Sequence, residues 1–147
     1  MKKLKIKKRI KKKNKKHIHT GLAMDNDKEV TKEDQEMINK FGLIHSKLKE
    51  CTAKIDELHK ELDTIHDAQG DVMMAPEEPG ALKLSVGEAY MDATLDDVMA
   101  KLEERETAIQ SEIDEMDKKA TEYKASLDEL KVALYGKFGR AAINLDE

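Results

Sequence analysis

MINKFGLIHSKLKECTAKIDELHKELDTIHDAQGDV, residues 37–72, decides the fold. Met37, Phe41, Ile44, Leu48, Cys51, Ile55, Leu58, Leu62, Ile65 and Val72 follow one another at alternating steps of four and three, the heptad rhythm of a helix whose apolar stripe faces another helix. With Phe41 at position a, the a sites are Phe41, Leu48, Ile55, Leu62 and Gln69, and the d sites are Met37, Ile44, Cys51, Leu58, Ile65 and Val72. Gln69 is the one polar interruption. A stripe this narrow cannot enclose a globular core, so it calls for a second helix with a matching stripe.

That second stripe lies in the same chain. Leu95, Leu102, Ile109, Met116, Tyr123 and Leu130 take d, and Met99, Glu106, Ile113, Ala120, Leu127 and Leu134 take a, with Glu106 as the misfit. Antiparallel helices set each a site against a d site of the partner. One register pairs Met37 with Leu134, Phe41 with Leu130, Ile44 with Leu127, Leu48 with Tyr123, Cys51 with Ala120, Ile55 with Met116, Leu58 with Ile113 and Leu62 with Ile109. Its one poor layer sets Ile65 against Glu106. A slip of one heptad would place Leu130 against Asp34 and leave Leu134 unpaired, so the composition of the stripe ends selects the first register.

Between the stripes the period changes to two. Gly70, Pro76, Pro79 and Gly80 interrupt any long helix, and then Leu82, Leu84 and Val86 alternate with Lys83 and Ser85. Gly87 and Glu88 supply a turn, and Ala89, Tyr90 and Met91 form a second short strand. Two such strands are marginal alone in water, so Leu82, Leu84, Val86, Ala89, Tyr90 and Met91 are read as an assembly hairpin whose partner strands come from other subunits.

The fold class expected is therefore mainly α, a long antiparallel two-helix coiled coil with a β-hairpin at its bend. The organisation is a Lys-rich extension over 1–23, a linker over 24–30, helix 1 over 31–70, the turn region and hairpin over 71–93, helix 2 over 94–136 and a C-terminal tail over 137–147. Thr31 with Asp34, and Thr94 with Asp97, place a capping hydroxyl and a carboxylate three residues on at the two helix starts.

Composition agrees with long helices. The 147 residues are 39% hydrophobic and 39% charged, without Trp. The net charge of −4 hides two unlike parts. Of the 27 Lys and Arg, eleven lie within residues 1–23, which hold no Asp or Glu; the remaining sixteen face all 31 acids, a net −15 for residues 24–147. An acidic body argues against nucleic-acid or anionic-membrane partners and for basic or unfolded ones. The basic run is read as a disordered appendage unrelated to the fold, with Met24 resembling an ordinary start. No run of eighteen apolar residues suits a membrane span, and no signal-peptide core is present, so the expected location is cytoplasmic.

Chemistry finds little footing. The sequence lacks a phosphate-cradling Gly-rich loop, a Gly-x-Ser-x-Gly turn and a His-Glu-x-x-His pair, and a thin helix pair has no concave pocket. No catalytic, cofactor or metal residue is assigned, and no enzyme is expected. His45, His59 and His66 all take e positions, but seven-residue steps are about 10.5 Å apart along a helix, too far to chelate one ion. Cys51, the single cysteine, is read as a buried small hydrophobe. Two alternatives compete with an assembly and holding role: a basic-zipper-like DNA-binding coiled coil and a purely structural scaffold. Against the zipper stand the acidic segment Asp25–Asp34, the absence of a Leu series at d, and the second stripe that already satisfies the first.

The segments EDQEMINKFG (33–42), VGEAYMD (86–92) and LKVALYGKFGRAAINLDE (130–147) resemble the prefoldin family, and within it the β-type subunit 4 group. The likeness covers nearly everything from Val30 onward and departs at the basic extension, at Gly136 and in the spacing before Ile143. It implies one subunit of a heterohexamer of two α-type and four β-type prefoldin subunits, with the hairpins joined in a β-barrel. It further implies ATP-independent capture of unfolded actin and tubulin and their transfer to the cytosolic chaperonin, with no cofactor. Large apolar residues crowd the end of the coil away from the hairpin. Ile38, Leu43, Tyr135 and Phe138 lie off the a and d sites there and are the expected client-binding residues.

Overall fold

The computed structural model describes residues 29–145. The extension expected over 1–23, and all but the last two positions of the 24–30 linker, lie outside the described residues. The elements follow as α1 (Lys32–Met73), β1 (Lys83–Val86), β2 (Ala89–Asp92) and α2 (Leu95–Phe138). The protein is mainly helical, two long helices with a two-stranded antiparallel sheet between them in sequence.

Both helices begin as their first residues dictate. The Thr31 N–H and hydroxyl both donate to Asp34 Oδ2, at 2.8 and 2.9 Å, while Asp34 N–H donates back to Thr31 Oγ1 at 3.2 Å. Thr94 and Asp97 repeat the arrangement at 3.2, 2.7 and 3.2 Å. Each box satisfies helix-start donors and places a carboxylate at the positive end of the dipole.

The ends lie further on than expected. α1 passes Gly70 and stops at Met73, after which Met74 and Ala75 donate to the carbonyls of Asp71 and Val72 in a tightened last turn. A glycine in a helix costs only about 1 kcal/mol, whereas Pro76 lacks the N–H and its ring blocks the preceding turn, so the proline sets the limit. α2 similarly runs through Phe138 before Gly139, at φ 75°, ends it.

The chain divides into two compact units. One, the hairpin unit, is residues 51–118; the other, the terminal unit, joins the segment up to Glu50 with the segment from Lys119. In the hairpin unit, Leu58, Ile65, Ile109 and Ile113 are buried together, with Leu62, Leu102 and Met116 packed on them. These are a and d residues of both stripes, in the expected antiparallel sense. Cys51 is buried, its thiol donating to the Met116 carbonyl at 3.1 Å. The two polar misfits answer each other: Gln69 Nε2 donates to Glu106 Oε2 at 2.9 Å, and His66 Nε2 lies 3.1 Å from Glu106 Oε1. The Gln69 amide first, then His66, holds the Glu106 carboxyl below its ordinary range.

The second stripe departs from expectation at its start. Val98 is buried, while Leu95, expected at d, is exposed. In the register that pairs Leu62 with Ile109, Leu95 would face Pro76, beyond the end of α1, so no stripe remains to cover it.

Candidate functional site

Two surfaces carry the functional residues, one in each unit. In the hairpin unit, β1 and β2 pair antiparallel with Lys83 opposite Asp92, Leu84 opposite Met91, Ser85 opposite Tyr90 and Val86 opposite Ala89. Side chains alternate across a strand, so this register sorts the ribbon into an apolar face of Leu84, Val86, Ala89 and Met91 and a polar face of Lys83, Ser85, Tyr90 and Asp92. Leu82 stands just before β1, its carbonyl accepting the Ala93 N–H at 3.1 Å. Tyr90 therefore sits across the ribbon from the other apolar residues of the hairpin.

Turn chemistry fixes the register. Gly87 has φ 63° and no non-glycine described residue has positive φ, so the two-residue loop Gly87-Glu88 bends in the II′ sense that suits the strand twist. Before β1, Ala81 N–H donates to the Glu78 carbonyl at 3.1 Å across Pro79-Gly80, with Gly80 at φ 81°. Proline then glycine is the pairing a type II turn needs.

Most of the apolar face is uncovered, with Leu84 half-buried and Ala89 exposed. Val86 and Met91 are each 57% exposed, and Met73, Met74 and Leu95 of the same unit are exposed as well. Of the last three, heptad counting placed only Leu95 on a stripe; Met73 and Met74 follow the last residue of the first stripe, Val72. Met73 and Met74 lie where α1 runs out, Leu95 where its stripe has no counterpart.

The terminal unit shows the reverse. Ile38, Phe41, Leu127 and Leu134 are buried with Ile143 and Leu145, and Met37, Ile44, Leu48, Leu130, Tyr135 and Phe138 pack against them. Ile38, expected to remain available, is 2% exposed and corrects that expectation. It shares its buried cluster with Ile143 and Leu145 of the C-terminal segment, which no helix periodicity takes into account. Tyr135 and Phe138 are half-buried, and Leu43 is 50% exposed. The Leu145 N–H donates to the Tyr135 hydroxyl at 3.0 Å, Arg140 lies over the Tyr135 ring at 5.3 Å, and Lys137 lies over the Phe138 ring at 5.6 Å.

A buried charge closes this unit. Asp34, 1% exposed, accepts from Thr31 and from the Lys137 ammonium of α2. Burial pushes its carboxyl up, but Lys137 and the Thr31 donors together outweigh burial and hold it below the usual carboxylate range. Capping alone was read from the sequence; the register that pairs Met37 with Leu134 also sets Asp34 against Lys137, but helix 2 was expected to end at 136, one residue short of it.

No helix among the described residues is long and apolar enough to cross a membrane, and no group of three or more His, Cys, Asp or Glu there is placed to hold a metal ion.

This sequence pattern on this fold has relatives. The prefoldin subunit family matches residues 35–141. The chain belongs to the prefoldin subunit family. A prefoldin subunit 4 of Homo sapiens is 33% identical over 124 residues, 84% of this chain and 92% of the human protein. A prefoldin subunit 4 of Bos taurus is similar to the same degree, and a probable prefoldin subunit 4 of Dictyostelium discoideum is 30% identical over 119 residues, 81% of this chain and 89% of that protein. As a prefoldin subunit, the chain assembles with other prefoldin subunits in a co-chaperone complex, and the family is one of chaperones rather than enzymes. Both surfaces lie within the matched region except for residues beyond 141.

Proposed function

We propose that the chain is a β-type subunit of a cytoplasmic prefoldin heterohexamer of two α-type and four β-type subunits. In it the hairpin joins a β-barrel, and the terminal unit helps to hold unfolded actin and tubulin, without ATP, for transfer to the cytosolic chaperonin. The observation that carries this reading is the uncovered apolar face of the hairpin. Leu84, Val86, Ala89 and Met91 form one side of a two-stranded ribbon that cannot be stable alone, and both strand edges are open to pairing. Neighbouring strands would satisfy the edges and the face together. The test is reconstitution of the hexamer with and without this chain. The complete complex is expected to suppress aggregation of unfolded actin in the absence of ATP and to deliver it to the chaperonin. A chain that stays outside the hexamer, or a complex that works equally well without it, overturns the reading.

A second reading, in which the subunit is chiefly architectural, is favoured by the burial of Ile38. The two separate on Leu43, Tyr135 and Phe138. Replacing all three by Ser should leave assembly intact and weaken actin holding if the terminal unit contacts the client, because each apolar contact contributes on the order of 1 to 2 kcal/mol and several sites act together. Unchanged holding by the assembled triple variant favours the architectural role.

A further inference from the structure

The segment after α2 supplies a cover that neither helix stripe contains. Gly139 N–H donates to the Tyr135 carbonyl at 2.9 Å and Ala142 N–H to the Gly139 carbonyl at 3.2 Å, so the chain reverses on a left-handed glycine. Ile143 and Leu145 then enter the terminal core at 2% and 3% exposure, with exposed Asn144 between them. Burial of alternate residues is the pattern of an extended segment laid on a surface. It shares one buried cluster with Ile38, Phe41, Leu127 and Leu134, and the Tyr135 hydroxyl accepts its Leu145 N–H. The helices thus read two aliphatic side chains two residues apart and one backbone N–H.

We propose that the apolar groove lined by Ile38, Phe41, Leu134 and Tyr135 is a binding site for an extended segment of unfolded chain bearing aliphatic side chains at alternate positions. Ala142–Leu145 occupies it in cis until such a segment displaces it. This deepens the client-holding reading above and rests on it, naming the ligand and the device that guards the site. Unfolded chains present extended aliphatic-x-aliphatic stretches with unpaired N–H groups, whereas folded proteins bury them. The requirement is chemical rather than sequence-specific, as suits diverse clients. The tethered tail competes at high effective concentration, so apparent affinity for a client scales with the fraction of open tails.

The test uses the reconstituted hexamer and a fluorescein-labelled peptide of the chain's own residues 139–147, GRAAINLDE. Two forms open the tail. Ile143→Ser with Leu145→Ser removes the side chains that seat it. Gly139→Ala leaves the groove lining untouched: a Cβ there meets nothing within 4 Å, and only the positive φ disfavours it. Either change should increase peptide affinity by about fivefold or more over the parent hexamer, and bound peptide should displace unfolded actin. A peptide with Ser in place of both aliphatic residues should bind neither form. Should the double variant fail to fold, Gly139→Ala carries the measurement alone. No gain with an assembled open form, or a gain without competition against actin that the complex does hold, overturns the inference and leaves the client-holding reading standing. Peptide binding by the open forms in a complex that holds no actin supports the groove and overturns that reading instead.

Discussion

The hairpin unit and the terminal unit are built from the same two helices and the same heptad grammar, yet they treat their surplus apolar residues in opposite ways. In the hairpin unit the surplus stays on the surface: Val86, Met91, Met73, Met74 and Leu95 are all exposed. In the terminal unit much of it is covered, because the chain has residues left over after α2 and buries Ile143 and Leu145 in one cluster with Ile38, Phe41 and Leu134, while Leu43 and Val132 stay exposed. A coiled-coil stripe buries only what faces the partner helix. What becomes of the rest depends on whether a further segment of chain reaches it, and the hairpin unit has none to spare.

The contrast is broken most sharply at the hairpin. Leu84→Asp with Val86→Asp puts two charges on the apolar face, and the variant should be lost from the hexamer altogether while its helical circular dichroism is largely retained. Its appearance in the hexamer at the parent's level, judged by native mass spectrometry, would refute the assignment of that face to assembly.

Leu134→Ala addresses the covered unit. Leu134 is fully buried, and its truncation should destabilise by roughly 2–5 kcal/mol. Hydrogen exchange should rise in residues 29–50 and 119–145 and stay near the parent's rate in 58–113. Equal acceleration throughout would show that the two units open as one.

A smaller effect belongs to Asp34. Its folded pKa is depressed, so the stability it confers is present above the unfolded value of about 4 and is lost as pH falls through the lower folded value. Thermal midpoints of the parent should therefore drop on acidification below about pH 4, and Asp34→Asn should start lower and show a smaller drop, the remainder belonging to other depressed carboxyls such as Glu106 and Asp97. A drop as large in the Asn variant as in the parent would show that Asp34 contributes none of it.

The smallest shift is expected at the polar layer of the hairpin unit. Glu106→Leu alone leaves the Gln69 amide and His66 without their shared acceptor and should lower the thermal midpoint. Adding Gln69→Leu should recover it, since matched apolar residues can replace a polar pair without loss. A double variant no better than the single one would show that the layer contributes more than it displaces.

Much of this was legible in the chain. Thr31 with Asp34 and Thr94 with Asp97 marked both helix starts, because a cap is satisfied within four residues. The stripe residues Leu58, Ile109 and Ile113 were placed correctly in the core, and the two-residue Gly87-Glu88 turn set the hairpin register. The polar face of Tyr90 follows from simple alternation once that register is known. Less legible were positions where a local preference competes with a distant partner. Gly70 looked like an end and was not, since a weak helix former yields to continued packing while Pro76 cannot. Leu95 kept the heptad but lost its partner because α1 had already stopped.

By itself, then, the sequence determined the helix pair, the hairpin, the caps and the family likeness, all of which rest on spacings within a few residues or on a repeat that adds up along the chain. Only the tertiary structure decided which off-stripe residues are exposed. Ile38 was expected on the surface and is buried, Gln69 and Glu106 stood as separate flaws and are bonded, and Lys137 came to Asp34 from the far end of the sequence. The physical reason is common to all three. Periodicity tells which side of a helix a residue occupies, but burial and pairing depend on what the folded chain brings to that side: the segment after α2 shares the Ile38 cluster, and Gln69 with Glu106, like Asp34 with Lys137, find polar partners inside the stripe itself.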